Sequence, residues 1–161
     1  DAGLGVELEG DFVARSFARQ RADLDELRSV LQKSGSRAGV IAKIESAEAV
    51  GQIDEMIRGA DAVLVARGDL GIECPMEDLP IIQRRIVKHC LRFGKPVIVA
   101  THLLESMVEN PVPTRAEISD VANAAFQQAD ALILTRDTSF GRSPVEFGKL
   151  LDKGTRQIKP S

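Results

Sequence analysis

Five short apolar runs recur along the chain, at Asp11–Phe17, Gly39–Glu45, Ala62–Ala66, Pro96–Thr101 and Ala131–Thr135. Segments of helical period separate them, and this alternation constrains the fold more than any other feature. Strands apolar at nearly every position have no face to give to water. Both faces must be covered, as in parallel sheets flanked by helices. The strand starts lie roughly 22–35 residues apart, the spacing of βα units. Between them, Leu24, Leu27, Val30 and Leu31 fall on one helix face. So do Val50, Ile53 and Ile57, then Leu79, Ile82, Ile86 and Cys90, then Ile118, Val121, Ala122 and Ala125. Gly35, Gly59 and Gly94 stand where helices should stop. Thr114-Arg-Ala-Glu117 and Ser143-Pro-Val-Glu146 read as capping boxes, the second with proline at the first helical position.

Three of the strands share one plan. Gly10-Asp11, Ala60-Asp61 and Ala129-Asp130 each put a small residue and an aspartate ahead of an apolar run that ends in a polar residue. Repetition of one βα unit predicts a barrel or an open parallel sheet. The 161 residues, 43% hydrophobic, suffice for one domain with a sizeable core. A net charge of −3 with scattered basic residues argues against nucleic-acid binding. The longest apolar stretches are about six residues, against the roughly 20 needed to span a bilayer, and no signal peptide is evident. Two cysteines, Cys74 and Cys90, make no disulfide framework, and free thiols point to a reducing, cytoplasmic setting. Zinc held by Cys74, His89, Cys90 and His102 is the other use of these residues, but no CxxC pair supports it.

The chemistry-bearing residues gather at strand C-termini, where ligands bind in barrels and open α/β sheets alike. In "AGVIAKIES", 38–46, alternation puts Ile41, Lys43 and Glu45 on one face and Val40, Ala42 and Ile44 on the other. Lys43 and Glu45 are either a structural ion pair closing the strand or part of a site. The next strand ends in "RGDLG", and parallel neighbours run about 4.8 Å apart, so Glu45 and Asp69 can converge on one Mg²⁺ or Mn²⁺. The glycines beside Asp69 permit unusual dihedrals and close approach to a ligand. If this stretch also opens a helical turn, its free N–H groups form an anion cradle. Alternation also groups Val97, Val99 and Thr101, which is expected to bring the Thr101 hydroxyl to the same site to relay a proton or bond a substrate oxygen.

With these residues in place, "IAKIES", "DAVLVARGDLGIE", "GKPVIVATHLLESM" and "NPVPTRAEISDVANAAFQQAD" closely resemble pyruvate kinase, in that order. "GDFVARSFARQRADLDELR" resembles the preceding βα unit of that family. The resemblance covers about the whole chain, and several long motifs together are specific. It implies an α/β fold, a partial (β/α)8 barrel over residues 1–161, from about the fourth strand to the eighth. The first barrel half, the lid domain and the C-terminal effector domain are then expected outside this chain. It implies phosphoryl transfer between phosphoenolpyruvate and ADP, giving pyruvate and ATP, with Mg²⁺ and K⁺, the K⁺ ligands also falling outside. The resemblance places metal ligands at Glu45 and Asp69, the phosphoryl-transfer lysine at Lys43 and the proton-delivering threonine at Thr101. It assigns the pyruvate carboxylate to the backbone of Ala66, Arg67, Gly68 and Asp69, and it sets Ser16 near the site.

Two departures stand out. The last strand reads "LTRDTSFGRSP", where the family typically has serine-glycine-glutamate-threonine, so Arg136 and Asp137 in the Thr135–Gly141 loop alter the floor of the site. His102 stands where glutamine is commoner. The chain begins at Asp1, which reads as a fragment or a processed product, and half a barrel exposes sheet edges. Association with a missing half or with a second copy is therefore expected, and the chain alone is expected to be inactive. The competing functions are a Mg²⁺-dependent lyase or aldolase of the same broad superfamily, and a non-catalytic barrel-half that assembles with another chain.

Overall fold

A computed structural model of the chain describes residues 11–133. Its elements follow the βα order: β1 (Phe12–Arg15), α1 (Arg21–Lys33), β2 (Gly39–Ile44), α2 (Ala47–Gly51), α3 (Ile53–Gly59), β3 (Ala62–Ala66), α4 (Arg67–Glu73), α5 (Leu79–Phe93), β4 (Val97–Ala100), α6 (Arg115–Phe126) and β5 (Ala131–Ile133). Single 3₁₀ turns at Met76–Asp78 and Glu105–Val108 lead into α5 and follow β4. The five strands form one sheet in the order β1-β2-β3-β4-β5, every pair parallel. That order distinguishes the two expected architectures. A doubly wound open sheet reverses its strand order at a switch point, whereas a barrel adds each strand beside the last. Sequential order is the barrel's, and the described residues form part of such a barrel.

The register assigns the faces. Ala42, Val63 and Val97 lie level, as do Ile44, Val65 and Val99, and all six are fully buried against the helices. Leu24, Leu27 and Leu31 of α1, Ile57 of α3 and Ile86 and Cys90 of α5 complete this core. On the opposite face Phe12 is 54% and Ile133 37% exposed, and Ile41, Leu64 and Ile98 are half-buried. Among the described residues, the helices therefore cover one face of the sheet only.

The repeated aspartate has a structural use. Asp61 donates its amide to the Val40 carbonyl at 2.8 Å and accepts the Val40 N–H on Oδ2 at 2.8 Å. Asp130 does the same to Val97, at 2.9 and 2.8 Å. Each aspartate ties the start of the preceding strand to its own, satisfying an amide the ladder leaves open. The Arg28 guanidinium holds Asp61 in turn at 3.0 Å.

Two helical expectations change in detail. Val50, Ile53 and Ile57 are buried as one stripe, but the helix is interrupted at Gln52 between α2 and α3. Gly51, a poor helix former, sits at the break. Gly94 closes α5 in the left-handed region at φ +64°. Gly59 ends α3 for a different reason: a Cβ there would lie 3.2 Å from Arg21 Cγ and 3.3 Å from Leu24 Cδ1, so it lets α1 and α3 meet. The Thr114–Glu117 capping box is present at α6. The Ser143–Glu146 box and the Thr135–Gly141 loop lie outside the described residues.

Candidate active site

The C-terminal ends of β1 to β4 bring the candidate residues together. At the exit of β2, Lys43 and Glu45 project from the face away from the helices. Lys43 Nζ lies 2.5 Å from Glu45 Oε1 and donates to Ser16 Oγ at 3.1 Å. The other Glu45 oxygen accepts the Phe17 N–H at 2.6 Å, and Phe17 takes a left-handed φ of +54°. Glu45 is 3% exposed. The structural ion pair is thus present, and it sits within the candidate site.

β3 runs directly into α4, so "RGDLG" does open a helical turn. Asp69 lies in that first turn, its carboxyl within hydrogen-bonding reach of the Glu45 carboxyl. Burial raises the Asp69 pKa, the Glu45 charge raises it further, and Lys43 and His102 pull it back only in part. Two facing acids with one ammonium beside them carry uncompensated negative charge. Such a pair binds a shared proton or a cation, and the spare lone pairs of both carboxylates suit a hard divalent ion. Glu45 and Asp69 therefore fit a Mg²⁺ or Mn²⁺ site.

Thr101 reaches the site by a route that alternation does not provide. Val97 and Val99, expected on the site face, point into the helix-covered core. Continued alternation would send Thr101 after them. Instead β4 stops at Ala100, and Thr101 and His102 turn left-handed at φ +68° and +54°. A β-branched residue in that region stores about 1–3 kcal/mol of strain. The turn carries Thr101 Oγ1 back to α4, where it accepts the Gly68 N–H at 2.8 Å. One amide of the expected anion cradle is thereby engaged by the threonine.

Gly68 serves close approach. A Cβ on it would meet Thr101 Oγ1 at 3.3 Å and His102 Nε2 at 3.4 Å. Neither Gly68 nor Gly71 has a positive φ, so the unusual-dihedral reading gives way to proximity.

Side-chain interactions of Arg67 were not anticipated. Buried at 9% exposure, Arg67 donates from Nε and Nη2 to the Thr101 carbonyl at 3.1 and 3.0 Å. Nη2 also reaches the His102 carbonyl at 2.6 Å, and Nη1 reaches Asp120 Oδ2 at 2.6 Å. Nothing in the spacing pointed to Asp120, 53 residues away.

The cysteine and histidine candidates do not converge. Cys74 and Cys90 are free, and burial pushes the Cys90 thiol up to about 12. His89 pairs through Nδ1 with Asp54. Among the described residues, no three His, Cys, Asp or Glu side chains cluster as a metal site. No helix among them is long and apolar enough to cross a membrane.

Residues 1–147 match the family described as pyruvate kinase, barrel domain. The chain is 46% identical to a pyruvate kinase of Thermotoga maritima over 156 residues, 97% of this chain and 34% of that protein. It is 49% identical to a pyruvate kinase of Clostridium perfringens over 154 residues, 95% of this chain and 32% of that one. It thus spans about a third of the length of these curated relatives. By its strand order, its motifs and this match along nearly its whole length, the chain belongs to the pyruvate kinase barrel-domain family.

Proposed function

We propose that this segment provides the metal-binding and proton-delivery side of a pyruvate kinase active site. Within a complete barrel it serves phosphoryl transfer between phosphoenolpyruvate and ADP. The observation that carries the proposal is the convergence of Glu45 and Asp69 at adjacent strand ends, with the Lys43 ammonium against Glu45.

In the direction of ATP formation, the bond from phosphorus to the enol oxygen breaks and one to the ADP terminal oxygen forms. The enolate then takes a proton at its methylene carbon. This chemistry needs positioning and charge neutralisation more than covalent help. Lys43 is held by Glu45 and Ser16, so its charge stands ready without reorganisation. Glu45 and Asp69 would hold a divalent cation, which would supply further charge neutralisation at the substrate. The Thr101 hydroxyl accepts from Gly68 and keeps its own proton free to donate, which suits delivery to the enolate carbon. The first turn of α4, with the backbone of Ala66, Arg67, Gly68 and Asp69, forms the wall for the substrate carboxylate. The lid, the first barrel half and the K⁺ ligands belong to the rest of the enzyme. In the complete enzyme, Glu45→Gln and Asp69→Asn should each weaken Mn²⁺ binding at least tenfold, by titration with paramagnetic detection, and abolish phosphoryl transfer. Parental Mn²⁺ affinity in both variants refutes the assignment.

A further inference from the structure

We propose that Arg67 is a positioning residue for Thr101, its guanidinium holding the left-handed turn that presents the Thr101 hydroxyl. The inference rests on the proposed role of Thr101.

Thr101 and His102 are consecutive left-handed residues, and Thr101 is β-branched. A backbone in that state persists only where its surroundings over-determine it. Arg67 does so: Nε and Nη2 share the Thr101 carbonyl, and Nη2 also takes the His102 carbonyl. The adjacent Gly68 amide holds the Thr101 hydroxyl at 2.8 Å. Two successive residues of α4 thus grip Thr101 by its carbonyl and its side chain. Arg67 is aimed in turn by Asp120 of α6 at 2.6 Å and by Gln83 of α5 at 3.4 Å. Gln83 is itself buried and donates to Gln127 at 3.0 Å. A lysine cannot reproduce this, because a single ammonium lacks the planar fork that spans two carbonyls and a carboxylate. Mere space-filling would require none of these directional contacts.

The test compares Arg67→Lys, Asp120→Asn and Thr101→Ala in the complete enzyme. The first readout is hydrogen exchange of the peptide carrying the Gly68 amide, by mass spectrometry. The second is uptake of solvent deuterium into the methyl group of pyruvate with Mg²⁺ present. In that exchange a methyl C–H bond breaks, its electron pair enters the enolate, the proton passes through the hydroxyl to water, and a deuteron returns. The third is Mn²⁺ affinity. Arg67→Lys should lose at least tenfold of the Gly68 protection and at least tenfold of the deuterium uptake, with Mn²⁺ affinity within twofold of the parent. Adding Thr101→Ala should cost little more, because both act on one hydroxyl. Asp120→Asn retains an acceptor oxygen and should show a smaller loss of both; it carries the test if Arg67→Lys does not fold. Parental Gly68 protection and parental uptake in the folded variants overturn the proposal. If Thr101→Ala leaves uptake unchanged, the role of Thr101 fails instead, and Gly68 protection still decides whether Arg67 holds the turn.

Discussion

Lys43 answers to two demands on one ammonium. It neutralises Glu45, which is 3% exposed, and under the proposed function it also stabilises charge on the transferring phosphoryl group. Replacing it by methionine in the complete enzyme removes both. Glu45 then loses its cation, so some stability goes with it. The deciding quantity is the rate per folded molecule, expected to fall by roughly 10²–10³. A stopped-flow assay normalised to folded protein checks this, and a normal rate from a destabilised protein would leave only the ion pair. Asp69 makes the opposite trade. Burial and Glu45 raise its pKa in the fold. Its contribution to stability is fully present below the unfolded value of 3.8 and is lost as pH rises through the raised folded value. Asp69→Asn should therefore raise Tm at pH 7 in the absence of divalent ions, the gain vanishing below about pH 3.8, and differential scanning calorimetry with and without Mn²⁺ tests it. The gathering of Lys43, Glu45 and Asp69 at neighbouring strand exits was legible because strand alternation and parallel strand spacing are local rules. Arg67 with Asp120 was not, since their contact depends on how α4 and α6 fall together. The Thr101 turn was hidden because left-handed backbone at a threonine contradicts its propensity.

The strands are tied together by a device the sequence displayed as a repeat without its meaning. Asp61 and Asp130 each close a two-bond ring onto the start of the strand before. Removing the Asp61 carboxylate with alanine leaves the Val40 amide without that acceptor and Arg28 with only the Gly59 carbonyl. A loss of about 0.5–1.5 kcal/mol follows at pH 7. Burial by itself would raise the Asp61 pKa, but the Val40 amide and the Arg28 charge outweigh it and hold the carboxyl low. The stabilisation is therefore present above the unfolded value of 3.8 and disappears as pH falls through the lowered folded value. Urea melts of parent and Asp61→Ala from pH 7 to pH 2.5 should converge in acid, and a constant difference would show that the carboxylate charge is not what stabilises. The helix stripes were readable from apolar spacing except at their edges: Val30 of α1 and Ile118 of α6, expected on the buried faces, are exposed. The break at Gln52 was not readable, because both halves bury their side chains in one line and keep the pattern intact.

At the scale of the molecule, helices among the described residues seal one face of the sheet and leave the other uncovered. Phe12, Ile41, Leu64, Ile98 and Ile133 lie on the uncovered face among the described residues. Sequential parallel order bends such a sheet toward closure, yet five strands cannot complete an eight-stranded ring. The same face carries Lys43 at its polar rim, so the site and the unsealed surface are continuous. Two outcomes follow for the isolated 161-residue chain. Its apolar face and the outer strands β1 and β5 favour association, either with a copy of itself or with the remainder of a barrel. Its turnover should be at least a thousandfold below that of a complete enzyme, since several preorganised contacts worth roughly 10²–10³ each would have to come from elsewhere. Weak Mn²⁺ binding should survive, because Glu45 directly follows β2 and Asp69 lies in the first turn after β3, and those two strands pair directly. Light scattering alongside a coupled assay for pyruvate formation decides both points. A monomer that makes pyruvate at ordinary enzyme rates with ADP would show that half a ring suffices, and that the uncovered face is a finished surface.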